Sequence, residues 1–179
     1  MDILTTALLL LFLAGAVITD LRARVIPNAL VLSGALIGIL LAGLHPKGIG
    51  ILRALGGLAL GLAIFLPLYL LRAMGAGDVK LMAMTGTFLG YAAIAEAALW
   101  VLLMGGALAL VFALRRGVAR RVAGNLREML FSAAASVQIR VLPDFSRGPQ
   151  TAARLPYAVA IALGVTAFLL ARHFGLNLI

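Results

Sequence analysis

Long apolar runs separated by short polar breaks dominate this chain, and that pattern leaves few folds open to it. A helix needs about 20 mostly apolar residues to cross a bilayer. Six runs approach that length: residues 3–19, 28–44, 49–71, 79–95, 97–114 and 155–171. Hydrophobic residues make up 64% of the 179, and the mean hydropathy is +1.14. That is too apolar for a soluble domain of this size. The pattern predicts an all-α polytopic membrane protein, a bundle of six transmembrane helices in one membrane-embedded domain over 1–179. Turn chemistry marks the breaks at Ile26-Pro27-Asn28, His45-Pro46-Lys47-Gly48 and Met74-Gly75-Ala76-Gly77. The break between the fourth and fifth runs, expected within 91–96, has the weakest turn signal. Gly34 and Gly38, Gly57 and Gly61, and Gly86 and Gly90 recur at a spacing of four, which lets helices approach closely in lipid. Pro67 is expected to kink the third span, as membrane helices tolerate.

Charge orients the bundle. The first run opens with Asp2, and its basic residues, Arg22 and Arg24, follow it. It therefore reads as a retained helix with an external N-terminus rather than a cleaved signal peptide. On that topology only Lys47, Arg53 and Arg172 of the 15 Lys and Arg fall outside. The excess on the other side is what cytoplasmic loops carry. The net charge of +9 is thus a topology signal, and no nucleic-acid partner is expected. Residues 115–154 read as a basic cytoplasmic loop lying on anionic lipid, with a partner-docking surface as the alternative. The absence of cysteine excludes disulfides, cysteine–zinc sites and thiol nucleophiles.

Against this background two acids stand out. The chain has only 6 Asp and Glu, and two of them, Asp20 and Asp78, end or begin apolar runs. A carboxylate at membrane depth is costly, so it is a functional candidate. The charge topology places both on the cytoplasmic side, 58 positions apart in sequence. Two carboxylates that meet can share a proton, which is aspartic-protease chemistry. The helix dipole favours charge on Asp78, in a first turn, and opposes it on Asp20, at a helix end. That hints at Asp78 as base and Asp20 as acid, although a close dyad titrates as a unit and its roles can exchange. Gly75 and Gly77 permit unusual backbone angles and close approach of a substrate. Taken singly, Asp78 could be a helix cap, and Asp20 could end a helix beside Arg22 or Arg24. Two such acids at one interface argue for a site.

The residues around them carry a resemblance. Asp20-Leu21-Arg22-Ala23-Arg24-Val25-Ile26-Pro27-Asn28 resembles the D-x-R-x-x-x-I-P-N segment of type IV prepilin peptidases. Gly75-Ala76-Gly77-Asp78-Val79-Lys80-Leu81 resembles their G-x-G-D-x-K-L segment, and Leu155-Pro156-Tyr157 is similar to the start of their last helix. The resemblance implies a GxGD membrane aspartic endopeptidase of the cytoplasmic (inner) membrane. It would remove the basic leader of prepilins and pseudopilins on the cytoplasmic side by attack of an activated water. It assigns catalysis to Asp20 and Asp78, and supporting roles to Gly75, Gly77, Lys80, Arg22, Pro27 and Asn28. No metal or cofactor is expected. Larger members carry a cysteine zinc segment and some methylate the new N-terminus. This chain looks like the short form of the tight-adherence (Flp) pilus type, which leaves methylation in doubt.

Two other classes share some of these features. A small ion-coupled transporter also uses intramembrane carboxylates and broken helices. However, the two halves show no repeat, and both acids cluster at one interface. A non-catalytic pilus or secretion assembly component would have the same hydropathy without the dyad. The topology is open to a direct test, because single cysteines can be introduced without background. Arg120→Cys is expected to resist an impermeant thiol reagent applied to intact cells and to react once the membrane is opened. Labelling from outside would overturn the orientation.

Overall fold

The computed structural model describes residues 2–45, 48–71, 74–115, 117 and 157–175, all helix or short connection. Five helices are described: α1 (Ile3–Ala23), α2 (Asn28–Leu44), α3 (Ile51–Leu70), α4 (Ala76–Arg115) and α5 (Tyr157–His173). The chain divides into two compact units. The first comprises Met1–Gly105 and Pro156–Ile179, and the second Gly106–Leu155. Of the second unit only the end of α4 and residue 117 are described, so the basic stretch 115–154 lies almost wholly outside the described residues. Among those described, α1, α3 and α4 are long and apolar enough to cross a membrane. The apolar helices α2 and α5 have 17 residues each. At 1.5 Å per residue that is about 26 Å, a little short of the hydrocarbon core.

The first helix runs one turn further than its apolar stretch predicts, to Ala23 rather than 19. Asp20 therefore sits inside the helix, not after it. Its side chain continues the buried stripe Leu9, Leu13, Ala16, Asp20, at spacings of four, three and four. That is one face of a helix. The helix ends because Arg24 adopts a left-handed conformation, φ 53° and ψ 32°, and its N–H donates to the Asp20 carbonyl at 2.8 Å. Pro27 then opens α2 from an extended conformation, φ −62° and ψ 134°. At the other end of the pair, His45 Nε2 lies 3.4 Å from Asp2 Oδ2. This contact joins the start of α1 to the end of α2.

The expected boundary between the fourth and fifth runs moves. Residues 91–96 are helical, and the break falls at Gly90, with φ 77° and ψ 169°. Few residues other than glycine adopt that conformation. A Cβ there would also lie 3.1 Å from Ile49 Cδ1. As one continuous helix, α4 would hold residues 78 and 105 about 40 Å apart. Instead Gly105 packs on Tyr157, whose neighbour Ala158 bonds Asp20 near the end of α1, and Ile26, just after α1, packs on Gly77 beside Asp78. The chain therefore turns back at Gly90.

Residues 81–90 are buried without interruption, which makes this part of α4 the centre of the first unit. Small residues create the room. The buried stripes of α2 (Val31, Gly34, Gly38, Ala42) and α3 (Ala54, Gly57, Gly61, Phe65) both carry paired glycines. A Cβ on Gly57 or on Gly86 would strike the other's carbonyl, so these two backbones touch. Gly34 faces Met84, Gly38 faces Thr87, and Gly61 faces the Met82 carbonyl. Lipid supplies no hydrophobic drive between helices, so such contacts must carry the association. The outward faces are apolar as well, with Ile3, Leu11, Leu32 and Leu52 exposed, as lipid contact requires.

The Gly57–Gly86 contact makes a specific expectation. Gly86→Val forces a side chain against the Gly57 carbonyl, and overpacking of this kind costs on the order of 1–3 kcal/mol or more. Membrane abundance and thermal stability in detergent should both fall. Full abundance at an unchanged melting temperature would contradict the packing.

Candidate active site

The two acidic motifs meet at one end of the bundle, and three helix N-termini build the meeting place. Asp78 lies in the first turn of α4. Its Oδ2 accepts the Gly75 N–H at 3.2 Å, while its own backbone N–H donates to the Gly75 carbonyl, also at 3.2 Å. This is the reach-back half of a capping box: a side chain three residues into the helix satisfies a free amide before it. Asp20 arrives from α1 and is buried. Its Oδ2 accepts the Ala158 N–H, in the first turn of α5, at 3.3 Å. Each carboxylate is therefore held through one oxygen by an amide at a helix N-terminus, where the dipole favours negative charge. The Gly77–Ile26 contact brings the segments that carry the two carboxylates together.

Sequence reasoning set Asp20 against only the unfavourable end of α1. The structure adds the favourable end of α5, so the two dipoles oppose each other at this carboxylate. The hint that assigned the acid role to Asp20 loses its basis.

The supporting residues are placed as follows. Lys80 Nζ donates to Asn28 Oδ1 at 3.0 Å, tying the first turn of α4 to the first residue of α2 across 52 positions. The pair is exposed, and its net contribution is of the order of 1 kcal/mol. Its value is alignment of the two motifs. Pro27 is the N-cap residue of α2. Arg22 is exposed in the last turn of α1, where a cation complements the helix dipole.

Gly75 and Gly77 are not among the residues with positive φ, so they are not needed for unusual backbone angles. Their missing side chains matter instead. A Cβ on Gly75 would lie 3.1 Å from Asp78 Oδ2, and one on Gly77 would lie 3.3 Å from Ile26 Cβ. Gly77 is thus where the Asp78 motif packs on the Ile-Pro-Asn tail of the Asp20 motif. The close approach it permits is between the protein's own segments.

Sequence reasoning gave Tyr157 and Ala158 a place at a helix start but no role at the site. The Leu155-Pro156-Tyr157 segment marked a helix start, and nothing in its residue types announced that its backbone would hold Asp20. A shallow cleft lined by Asp2, Thr5, Gly38, Ala42, Thr87 and Phe88 lies toward the other end of α1. It offers no paired acids, so the candidate site lies at the Asp20–Asp78 end.

Fold and site together define an all-α membrane protein with two carboxylates at one end of the bundle, each held at a helix N-terminus. The profile of the type IV leader peptidase family, peptidase family A24, matches residues 7–113, which include both aspartates. The chain belongs to that family, and membership implies aspartic endopeptidase activity with prepilins as substrates. Comparisons with curated proteins and with solved structures give no match.

The packing of Gly77 on Ile26 can be tested on cleavage. Gly77→Val should insert and accumulate normally yet cleave far more slowly, because its methyl groups wedge the two motifs apart. Adding Ile26→Ala should recover part of the rate. Normal cleavage by Gly77→Val alone would contradict the role of this contact.

Proposed function

We propose that the chain is a membrane aspartic endopeptidase that cleaves the leader peptide of Flp-type type IV prepilins on the cytoplasmic side. The observation that carries this reading is the convergence of Asp20 and Asp78 at one end of an apolar bundle, each anchored through a single oxygen. Anchoring one oxygen restrains the carboxylate and leaves the other available for proton transfer. One carboxylate takes a proton from water as it attacks the scissile carbonyl. The other gives a proton to the carbonyl oxygen; as the tetrahedral diol collapses, that proton returns, the first carboxylate passes the proton it took from water to the leaving nitrogen, and the C–N bond breaks to give acid and amine. The step needs no covalent intermediate.

In the same reading the bundle crosses the membrane six times from an external N-terminus, with α4 crossing twice about Gly90. Two things support this: the positive charge on one side, and the turn that brings Gly105 back to Tyr157. The prepilin's apolar helix would lie against the bundle in lipid, and its basic leader junction would sit at the depth of the aspartates. Arg22, Pro27, Asn28, Lys80, Gly75 and Gly77 act by aligning the segments that carry them.

The test is co-expression with a small prepilin, followed by intact-mass measurement of its N-terminus. Wild type should remove the leader. Asp20→Asn and Asp78→Asn, nearly isosteric, should each lose on the order of 10²–10⁴-fold in rate, since asparagine cannot carry the proton. A well-folded Asn variant with most of its activity would remove that residue from the mechanism. A chelator should leave the rate unchanged. Loss of activity that zinc restores would contradict the two-carboxylate step.

A further inference from the structure

The start of α5 does more than begin a helix. Ala158 in its first turn is buried and donates its N–H to Asp20, while Tyr157 beside it is half-buried. The Tyr157 side chain lies against α4 at a buried glycine. A Cβ on Gly105 would be 2.6 Å from Tyr157 Oη and 3.0 Å from its Cζ. The phenol thus occupies the space that any side chain at 105 would need. A reciprocal contact lies further along, where Gly164 of α5 receives Val101 of α4. The two helices form a seam in which each contributes one glycine and one filling side chain. The residue after Tyr157 bonds Asp20, so the seam ends beside the dyad.

We propose that Gly105 and Tyr157 are positioning residues for the dyad: seating the ring on Gly105 fixes the first turn of α5, and that turn delivers the Ala158 N–H to Asp20. This rests on the endopeptidase reading above. It assigns the hydroxyl no contact with substrate, and it makes α5 a working part of the site although the family match ends at residue 113. A carboxylate in a bundle of this kind has few other donors, so losing its amide would leave it free to rotate out of line. Misplacement by about 1 Å can cost on the order of 10²-fold in rate.

The experiment uses the full chain in membranes with a prepilin substrate, and measures kcat and KM separately. Gly105→Ala should lower kcat at least about tenfold with KM little changed. Tyr157→Phe alone should stay near wild type, because the ring remains seated. Gly105→Ala combined with Tyr157→Phe should recover part of the lost kcat, since the closest contact, with the hydroxyl, is gone while the ring edge at 3.0 Å remains. Ala158→Pro removes the N–H at a position where the first helical turn tolerates proline. It should lose kcat, while Ala158→Gly should keep it.

A second readout does not depend on cleavage. In an Asp20→Cys background, a membrane-permeant maleimide should label position 20 faster when Gly105 is alanine, and closer to the original rate when Tyr157→Phe is added. The seat is overturned by wild-type kcat in Gly105→Ala, by failure of the double variant to recover, or by unchanged labelling. Loss of activity in Tyr157→Phe would make the hydroxyl a direct participant and likewise overturn it. A wild-type chain that cleaves no prepilin would sink the endopeptidase reading, and the labelling would still decide the seat.

Discussion

A carboxylate buried in an apolar bundle has to be solvated by something, and for Asp20 that is the amide of Ala158 at the start of α5. The interaction is weak by the standards of an ion pair, yet the arrangement of the bundle depends on it. It requires α1 to run one turn beyond its apolar stretch, so that position 20 lies on the buried face. It also requires α5 to begin at the same end of the bundle as α4. That in turn needs the chain to come back after Gly90, because otherwise Gly105 and Tyr157 would be far from Asp78. Asp78 uses the same device within its own segment, taking the Gly75 amide. The same chemistry thus serves both acids, once locally and once across 138 positions.

The energetic logic fits a membrane. No lysine or arginine neutralises either aspartate among the described contacts; Lys80 bonds Asn28 instead. A close cation would hold a carboxylate permanently charged and compete for its oxygens. Backbone amides lower the cost of the charge and leave the group able to exchange a proton. The close glycine contacts between α3 and α4 supply the rigidity that lets weak anchors hold position. Where a glycine faces a carbonyl, as at Gly57 and Gly86, packing is backbone on backbone and has little freedom to shift.

Much of this was legible in the sequence, and the exceptions are instructive. Hydropathy located α1, α2, α3 and α5 to within a few residues and divided α4 into two runs, because apolar runs bounded by proline, glycine and charge leave little choice. Scarcity made Asp20 and Asp78 visible, since a rare acid at a helix end in a chain this apolar has a cost that needs a reason. The Gly90 break was placed a few residues late. A glycine inside an apolar run gives no turn signal, and only its backbone conformation in the fold, φ 77° and ψ 169°, shows why it must be there. The glycines before Asp78 suggest both unusual backbone angles and room for close approach; neither has positive φ, and the room lies against Asp78 and Ile26. Ala158 was invisible because its contribution is a backbone N–H, which every residue but proline possesses. Only tertiary structure shows which amide faces an acid.

The central claim is that Asp20 and Asp78 share one site although they come from different helices and separate motifs. The most direct measurement is a cross-link. The chain has no cysteine, so Asp20→Cys and Asp78→Cys can be combined and treated in native membranes with a short bifunctional maleimide. Intact mass then distinguishes one bridging reagent from two singly attached ones. The structure predicts a single bridged species within one chain, formed in preference to double labelling. Two independently labelled cysteines with no bridge would mean that the carboxylates do not meet, and the dyad would fall with them.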